Sequence, residues 1–189
     1  ESGFLTKIVS NILDKFSQHF ISISFLVACK KSLRIFSVRY KTQVIIYYSH
    51  WWLKMLKISV VGLGLMGKQH LKAIRDHPNC CLLSIIDNSE EAKLFSKTEC
   101  CPFFRNLEDA ISKSKPDGLI IATPNSRHFE DGMLGLKSGI PILIEKPISD
   151  SIVDAEKLIE FGNRTQIPIL TGYHRRHNPI IFDIKKKLD

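Results

Sequence analysis

The fold is decided by residues 57–67, whose sequence is KISVVGLGLMG. The β-branched run predicts a buried strand, which ends in a turn that opens a helix. Gly62 permits the tight turn, Gly64 lets a phosphate-bearing ligand approach the backbone, and Gly67 lets the helix pack closely on the strand. The first N–H groups of such a helix donate to phosphates. The stretch therefore predicts a pyrophosphate-binding loop, made by Gly62, Gly64, Leu65, Met66 and Gly67.

Asp87 lies twenty residues after Gly67, at the end of the next apolar run. A carboxylate at that spacing accepts hydrogen bonds from both ribose hydroxyls of an adenosine and repels a 2′-phosphate. We therefore expect NAD as the cofactor in preference to NADP. The alternative is a glycine-rich turn that binds nothing, and the combination of loop, helix and acidic residue disfavours it.

Short apolar runs alternate with helical stretches from Met55 onward. This alternation predicts an α/β fold, a Rossmann-type doubly wound parallel sheet with helices on both faces. The predicted strands are 57–61, 82–86, 102–104, 118–122, 141–144 and 168–171. The predicted helices are 66–75, 90–96, 107–112, 128–137, 152–161 and 179–188, with Asp150 or Ser151 as the N-cap of the fifth.

One further segment of interest, ATPNSRH at 122–128, follows a predicted strand. It lies at the sheet edge where open α/β sheets bind ligands. Thr123 and Asn125 can hydrogen-bond a ribose or a pyrophosphate. Asn125 and Ser126 are also common helix N-caps, and His128 is equally well explained as a structural histidine.

A second segment, Glu145-Lys146-Pro147, follows the strand predicted at 141–144. A charged pair between a buried strand and a proline costs free energy unless it meets a ligand or a partner. We therefore expect part of a site here as well.

Four motifs, in this order and spacing, resemble the nucleotide-binding half of the Gfo/Idh/MocA oxidoreductases. That family includes glucose-fructose oxidoreductase and inositol dehydrogenases. The resemblance covers 135 residues, from Met55 to the end of the chain, and residues 1–54 match nothing in it. The motifs are GLGLMG at 62–67, ATPN at 122–125 with His128, EKP at 145–147 and GYHRRHNP at 172–179.

The resemblance implies reversible oxidation of a sugar or cyclitol hydroxyl by hydride transfer to NAD. It implies that Lys146 is the catalytic lysine, which donates a hydrogen bond to the reacting oxygen, and that Glu145 lines the nicotinamide side. Arg175 and Arg176 either orient substrate hydroxyls or form interdomain ion pairs. Cofactor contacts are also implied for Thr123, Pro124, Asn125, His128 and Lys146.

Members of the family continue with a second α/β domain. It supplies most of the substrate pocket, an Asp and a His of the proton path, and the oligomer interface. We expect this domain to be absent from the 189-residue chain, which ends within the helix predicted at 179–188. His174 and His177 lie too early to replace the missing histidine. A homo-oligomer is therefore expected only with the missing domain.

Residues 1–54 are a basic extension with no βαβ pattern. They carry eight of the 27 Lys and Arg residues and two of the 19 acidic residues. We expect an extraneous segment ahead of a start at Met55, the alternative being an organelle transit peptide. Because most of the net charge of +8 lies in this segment, the charge does not indicate a nucleic-acid partner.

The composition also excludes other classes of protein. Apolar residues make up 44% of the chain and charged residues 24%, which is typical of a globular core former. No apolar run approaches the roughly 20 residues that a membrane-spanning helix needs. The five cysteines show no Cys-x-x-Cys spacing, so we expect a reduced, cytoplasmic chain without a metal site.

Two functions from different classes remain open. The first is an NAD-dependent sugar or polyol dehydrogenase of which this chain is the nucleotide-binding part. The second is a non-catalytic dinucleotide-binding module that acts as a sensor or a partner subunit. A reading frame that continues past Asp189 favours the first function, and a stop codon there favours the second. We expect the 189 residues alone to be inactive in either case.

Overall fold

The computed structural model describes residues 55–173 and 179–188. The basic extension 1–54 and the predicted substrate residues Arg175 and Arg176 lie outside the described residues. The strands are β1 (Leu56–Val61), β2 (Cys80–Ile86), β3 (Phe103–Phe104), β4 (Gly118–Ile121), β5 (Ile142–Ile144) and β6 (Ile169–Thr171). The helices are α1 (Leu65–Asp76), α2 (Glu90–Thr98), α3 (Leu107–Ser114), α4 (Asn125–Lys137), α5 (Ile152–Thr165) and α6 (Pro179–Leu188).

The six strands form one parallel sheet in the order β3-β2-β1-β4-β5-β6. From β1 the chain first builds outward through β2 and β3, and then returns to the other side of β1 to build β4, β5 and β6. The predicted doubly wound Rossmann-type sheet is confirmed. The order reverses between β1 and β4, and the crevice at such a switch point, at the carboxyl ends of the strands, is where open α/β sheets bind ligands.

Burial is complete in β4 and β5 and decreases towards the two edges of the sheet. All residues of β4 and β5 are buried, but both residues of β3 and all three of β6 are half-buried. The two edge strands, each with only one neighbouring strand, are therefore less shielded from water than β4 and β5. Helices cover both faces of the central strands, and the buried side chains of α1 and α5 include Ala73, Ile74 and Leu158.

The largest error in the predicted boundaries is the end of α5. The sequence ends this helix at Phe161, before Gly162, but the helix continues to Thr165. Gly162 lies within the helix. A Cβ at this position would lie 2.6 Å from Cδ1 of Ile169 on β6. The glycine therefore serves close helix–sheet packing and does not end the helix.

Side-chain caps separate the helices into two groups. Ser89, Asn106 and Ser151 accept a backbone N–H at the start of α2, α3 and α5, which confirms Ser151 as the cap of α5. Helices α1 and α4 have Gly64 and Pro124 as their N-caps, with no side-chain hydrogen bond from the cap and no acidic residue in the first turn. Their first N–H groups therefore lack the side-chain acceptors that the other three helices have.

Within the described ranges, no helix is long and apolar enough to cross a membrane.

Leu143 provides a test of the core, since its side chain is fully buried at the centre of β5. We expect Leu143→Ala to lower the free energy of unfolding by about 3 kcal/mol, through lost apolar burial and the cavity left behind. Leu94→Ala, at a residue that is 62% exposed, is the matched control and should change it by less than about 0.5 kcal/mol. Urea titrations of both variants measure the difference. Equal destabilisation would contradict this assignment of the core.

Candidate dinucleotide-binding site

The predicted site residues meet at one edge of the sheet because the strand ladder continues into the loops. The N–H of Asp87 donates to Phe104 O, that of Gly62 to Ile86 O, and that of Ala122 to Val61 O. The same pattern places the first residues after β5 and β6 on this edge, where the N–H groups of Glu145 and Gly172 donate to Ile121 O and Ile144 O. Five segments distant in sequence therefore start side by side.

Gly62 makes the turn that joins β1 to α1. Its φ of +87° lies in the left-handed region, which favours glycine. A Cβ at this position would also lie 2.6 Å from the carbonyl oxygen of Ala122, on the loop that follows β4. Glycine is therefore required here both by the conformation and by the close approach of the neighbouring loop.

Gly64 and Gly67 differ in what a side chain at each position would meet. A Cβ on Gly67 would overlap the carbonyl oxygen of Gly62, so α1 could not pack against the turn with any larger residue. A Cβ on Gly64 would meet nothing within 4 Å, and Gly64 is exposed at the N-cap of α1. The space beside its backbone is open to a ligand.

The first turn of α1 presents an anion-binding end. Its N–H groups have no side-chain cap, and Leu65 is 78% exposed although it is apolar. Partial positive charge at a helix N-terminus favours phosphate oxygens. These features leave the first N–H groups of α1 available to an anionic ligand such as a pyrophosphate.

Asp87 is more strongly engaged than the sequence indicates. Its carboxylate accepts the N–H of Leu63 at 2.7 Å and the N–H of Ser89 at 2.8 Å. Burial opposes ionisation of the carboxyl, but hydrogen bonds from the backbone N–H groups of Leu63 and Ser89 outweigh it and lower the pKa of Asp87. A carboxylate has about four acceptor positions, so ribose hydroxyls can still donate to it. Asp87 thus joins the glycine loop to the segment that follows β2.

The fold brings Arg105 next to the loop that follows β2. The sequence did not predict this contact. Its guanidinium donates to the carbonyl oxygen of Asn88 at 2.8 Å and forms an ion pair with Glu90. The hydrogen bond from Arg105 lowers the pKa of Glu90. The arginine comes from the segment after β3, so its position depends on the pairing of β2 with β3.

Thr123 is held by a buried carboxylate that sequence reasoning missed. Its hydroxyl donates to Asp131 at 2.9 Å, and Arg127 donates to the other oxygen of Asp131 at 2.9 Å. This hydrogen bond raises the pKa of Arg127. The spacing of Arg127 and Asp131, four residues apart on a helix, was the available signal. Asp131 thus orders the loop that begins α4.

The expected N-caps of α4 are wrong. Pro124 is the N-cap, and it supplies no side-chain hydrogen bond. Asn125 is the first residue of the helix and is exposed, as is Ser126. Pro124 favours the start of a helix, which begins directly after it at Asn125. With Asn125 as the N-cap, the helix would begin one residue later.

The structure corrects the prediction that the His128 side chain contacts the cofactor. The residue is 1% exposed, and its ring nitrogens lie 2.7 Å from Pro147 O and 2.8 Å from Thr123 O. The histidine therefore joins the loop after β4 to the loop after β5. This is the structural alternative that the sequence left open.

The side chains of Glu145 and Lys146 lie in different environments. Lys146 is exposed, whereas Glu145 is buried with its Oε1 2.7 Å from Nε2 of His70 on α1. The backbone N–H of Lys146 donates to the other carboxylate oxygen at 3.2 Å. The prediction of a direct contact between Glu145 and the nicotinamide stays untested. His70 is a further site residue that the sequence reasoning missed, because only the fold brings α1 against the end of β5.

A parallel sheet in this strand order, with a glycine turn, an uncapped helix and a carboxylate at its switch point, defines a dinucleotide-binding Rossmann domain. The sequence model of the Gfo/Idh/MocA family, described as an oxidoreductase family with an NAD-binding Rossmann fold, matches residues 56–173. The chain belongs to this family.

Curated relatives include dehydrogenases of a cyclitol and of a sugar phosphate. Inositol 2-dehydrogenase of Corynebacterium glutamicum (strain R) is 29% identical over 140 residues, which are 72% of this chain and 42% of the relative. Glucose-6-phosphate 3-dehydrogenase of Bacillus subtilis is 30% identical over 124 residues, 65% of this chain and 35% of the relative. The chain thus spans about four tenths of the length of these proteins.

Solved structures share the fold. The WlbA dehydrogenase from Bordetella pertussis, in complex with NADH and UDP-GlcNAcA, superposes with a TM-score of 0.68 at 23% identity, over 71% of this chain and 40% of that chain. The apo scyllo-inositol dehydrogenase from Lactobacillus casei also gives 0.68 at 23% identity, over 72% and 42%. Both similarities support the Rossmann architecture.

The contacts of Asp87 predict a dependence of stability on pH. Because its pKa is lower in the folded chain than the ordinary value of 3.8, its contribution is present above pH 4 and is lost as the pH falls through the folded pKa. We expect Asp87→Asn to lower the free energy of unfolding by about 1 to 2 kcal/mol at pH 7, with the difference shrinking towards pH 3. Denaturant titrations at several pH values measure it.

The same substitution at Asp76, which is exposed at the far end of α1, controls for the loss of one charge. A difference between the wild-type chain and Asp87→Asn that stays constant from pH 7 to pH 3 would refute the role assigned to the carboxylate.

Proposed function

We propose that this chain is the NAD-binding part of an oxidoreductase that transfers hydride between a sugar or cyclitol hydroxyl and a nicotinamide cofactor. The observation that carries the proposal is that the uncapped N-terminus of α1 and the exposed Lys146 lie at one sheet edge. They are linked through the contact between His70 and Glu145. The helix end that would bind phosphate and the lysine that would act as the acid are therefore on elements in direct contact.

The glycine loop and the carboxylate would hold the cofactor. The backbone of Gly64, Leu65 and Met66 would bind the pyrophosphate, and Asp87 would accept the adenosine ribose hydroxyls. Thr123, Pro124 and Asn125 would border the same crevice. When bound, a nicotinamide dinucleotide supplies the hydride acceptor or donor.

A preference for NAD over NADP follows from charge. The Asp87 carboxylate would repel a 2′-phosphate, and Arg105, which contacts the neighbouring Asn88, is paired with Glu90. An arginine that is already paired with a carboxylate attracts a phosphate group less strongly. The NAD preference therefore rests on Asp87 together with the Arg105–Glu90 ion pair.

Lys146 would act on the substrate. Its exposed ammonium can donate a hydrogen bond to the reacting oxygen and help move the hydroxyl proton. The substrate class is inferred from the family and from relatives named as inositol 2-dehydrogenase and glucose-6-phosphate 3-dehydrogenase. Arg175 and Arg176 would orient substrate hydroxyls or form interdomain ion pairs.

The substrate pocket and a homo-oligomer interface would come from the part of the relatives that this chain does not span. The enzyme would be cytoplasmic.

A non-catalytic dinucleotide-binding module is the second candidate. It is favoured by the surroundings of the histidines, since all three in the described part of the chain, His70, His77 and His128, are buried. Lys146 therefore has no exposed histidine beside it among those residues to complete a proton path.

Calorimetric titration of the two cofactors tests the binding site. We expect NAD(H) to bind more tightly than NADP(H), and Asp87→Ala to weaken NADH binding by about 1.5 to 3 kcal/mol through lost charge-assisted hydrogen bonds. Asp76→Ala, at an exposed carboxylate on the far end of α1, should leave the affinity unchanged. Equal or tighter binding of NADP would overturn the preference.

Turnover tests whether these 189 residues alone catalyse the proposed reaction. We expect the 189-residue chain to bind NAD but to give no detectable NADH with inositols, glucose or amino sugars. Substrate positioning can account for about 7 to 11 kcal/mol of a barrier, and a second acid or base for roughly 10² to 10⁴ in rate. Absorbance at the NADH maximum measures turnover. A signal that disappears in Lys146→Ala would prove the chain sufficient for catalysis.

A further inference from the structure

The contact between His70 and Glu145 crosses the middle of the site. His70 lies on α1, the helix that the glycine loop begins, and Glu145 is the first residue after β5. The two residues are 2% and 6% exposed, and their Nε2 and Oε1 atoms are 2.7 Å apart. A short polar contact that is shielded from water is held more firmly than the same contact at the surface. It therefore ties the phosphate-binding helix to the loop that carries Lys146.

The Glu145 carboxylate is confined from two further directions. Its second oxygen, Oε2, accepts the backbone N–H of Lys146 at 3.2 Å. On the side of β6, a Cβ on Gly172 would lie 2.7 Å from the carboxylate carbon and from Oε1, so the absence of a side chain at Gly172 makes room for the acid. Glu145 is thus held in the position from which it contacts the backbone of Lys146.

The environment of Nδ1, the second ring nitrogen of His70, helps to explain why this residue is a histidine and not an apolar residue. Nδ1 is buried and has no hydrogen-bond partner among the described residues. A buried polar atom without a partner destabilises a fold, and a leucine of similar size would avoid that cost. The histidine is therefore better explained by what its Nε2 does for Glu145 than by packing alone.

We propose that His70 is a positioning residue: through Glu145 it holds the Lys146 loop, and with it the nicotinamide end of the site, in register with the glycine loop. This inference rests on the proposed dinucleotide-binding function. His70 would not touch the adenosine half of the ligand, which belongs to the glycine loop and Asp87.

This division of roles distinguishes two ligands. ADP-ribose contains the adenosine, the pyrophosphate and the second ribose, but it lacks the nicotinamide. NADH contains all of these groups and the nicotinamide as well. Loss of the His70 contact should therefore weaken NADH binding selectively, whereas a general disturbance of α1 should weaken both ligands alike.

The experiment is calorimetric titration of NADH and ADP-ribose into the wild-type chain, His70→Leu and His70→Gln. We expect His70→Leu to raise the Kd for NADH about tenfold and to leave the Kd for ADP-ribose within about twofold. Glutamine carries a terminal amide N–H that can replace the Nε2 donor, so His70→Gln should bind NADH within about threefold of the wild type. Thermal unfolding of each variant checks that the fold is retained.

Gly172→Ala approaches the same carboxylate from the opposite side. Its Cβ would displace the acid from His70, so we expect the same selective loss of NADH affinity without any change to α1. This variant keeps the proposal testable if His70→Leu does not fold.

The possible results separate this inference from the proposed function. If the wild-type chain binds neither ligand, the proposed function fails and the inference fails with it. If both ligands bind, but His70→Leu weakens them equally or weakens neither, the positioning role is refuted and the dinucleotide site stands. NADH that binds no more tightly than ADP-ribose to the wild-type chain would also refute it.

Discussion

The left-handed turn at Gly62 is the constraint on which the rest of the site depends. Its φ of +87° ends β1 and starts α1 within a few residues, and its missing side chain lets the loop after β4 approach to contact distance. Gly67 then allows α1 to pack directly on that turn. The result is a helix whose uncapped end faces the switch point of the sheet, where its N–H groups can serve a ligand.

Buried polar groups hold the remaining loops against this frame. His128 joins the loops after β4 and β5, Asp131 fixes the Thr123 hydroxyl, and His70 holds Glu145. Apolar packing stabilises the layers but is not directional, whereas hydrogen bonds fix the orientation of a loop. The structural helices α2, α3 and α5 carry their own side-chain caps, and the two helices at the site do not. The lack of caps coincides with the place where function is expected.

Sequence reasoning succeeded where the determinants are local. The turn at Gly62, the close packing at Gly67 and most element boundaries follow from a few neighbouring residues, and the sheet order agrees with the predicted βαβ repeat. It failed where a partner comes from a distant strand or helix: Arg105 near Asp87, and His70 against Glu145, 75 residues along the chain. The role of His128 was ambiguous because a histidine that follows a strand can either contact a ligand or hydrogen-bond a buried carbonyl oxygen. Only the packed loops decide between them.

The central claim is that the carboxyl edge of the sheet binds a dinucleotide across the β1–β4 switch point. Mapping of backbone amide chemical shifts during an NADH titration tests it most directly. The account predicts the largest shifts at 62–67, at Asp87 and at 122–125, with further shifts at Lys146. Shifts that avoid these residues, and fall instead on the groove between α5 and β6 that Ile167 and Ile169 help to line, would contradict it.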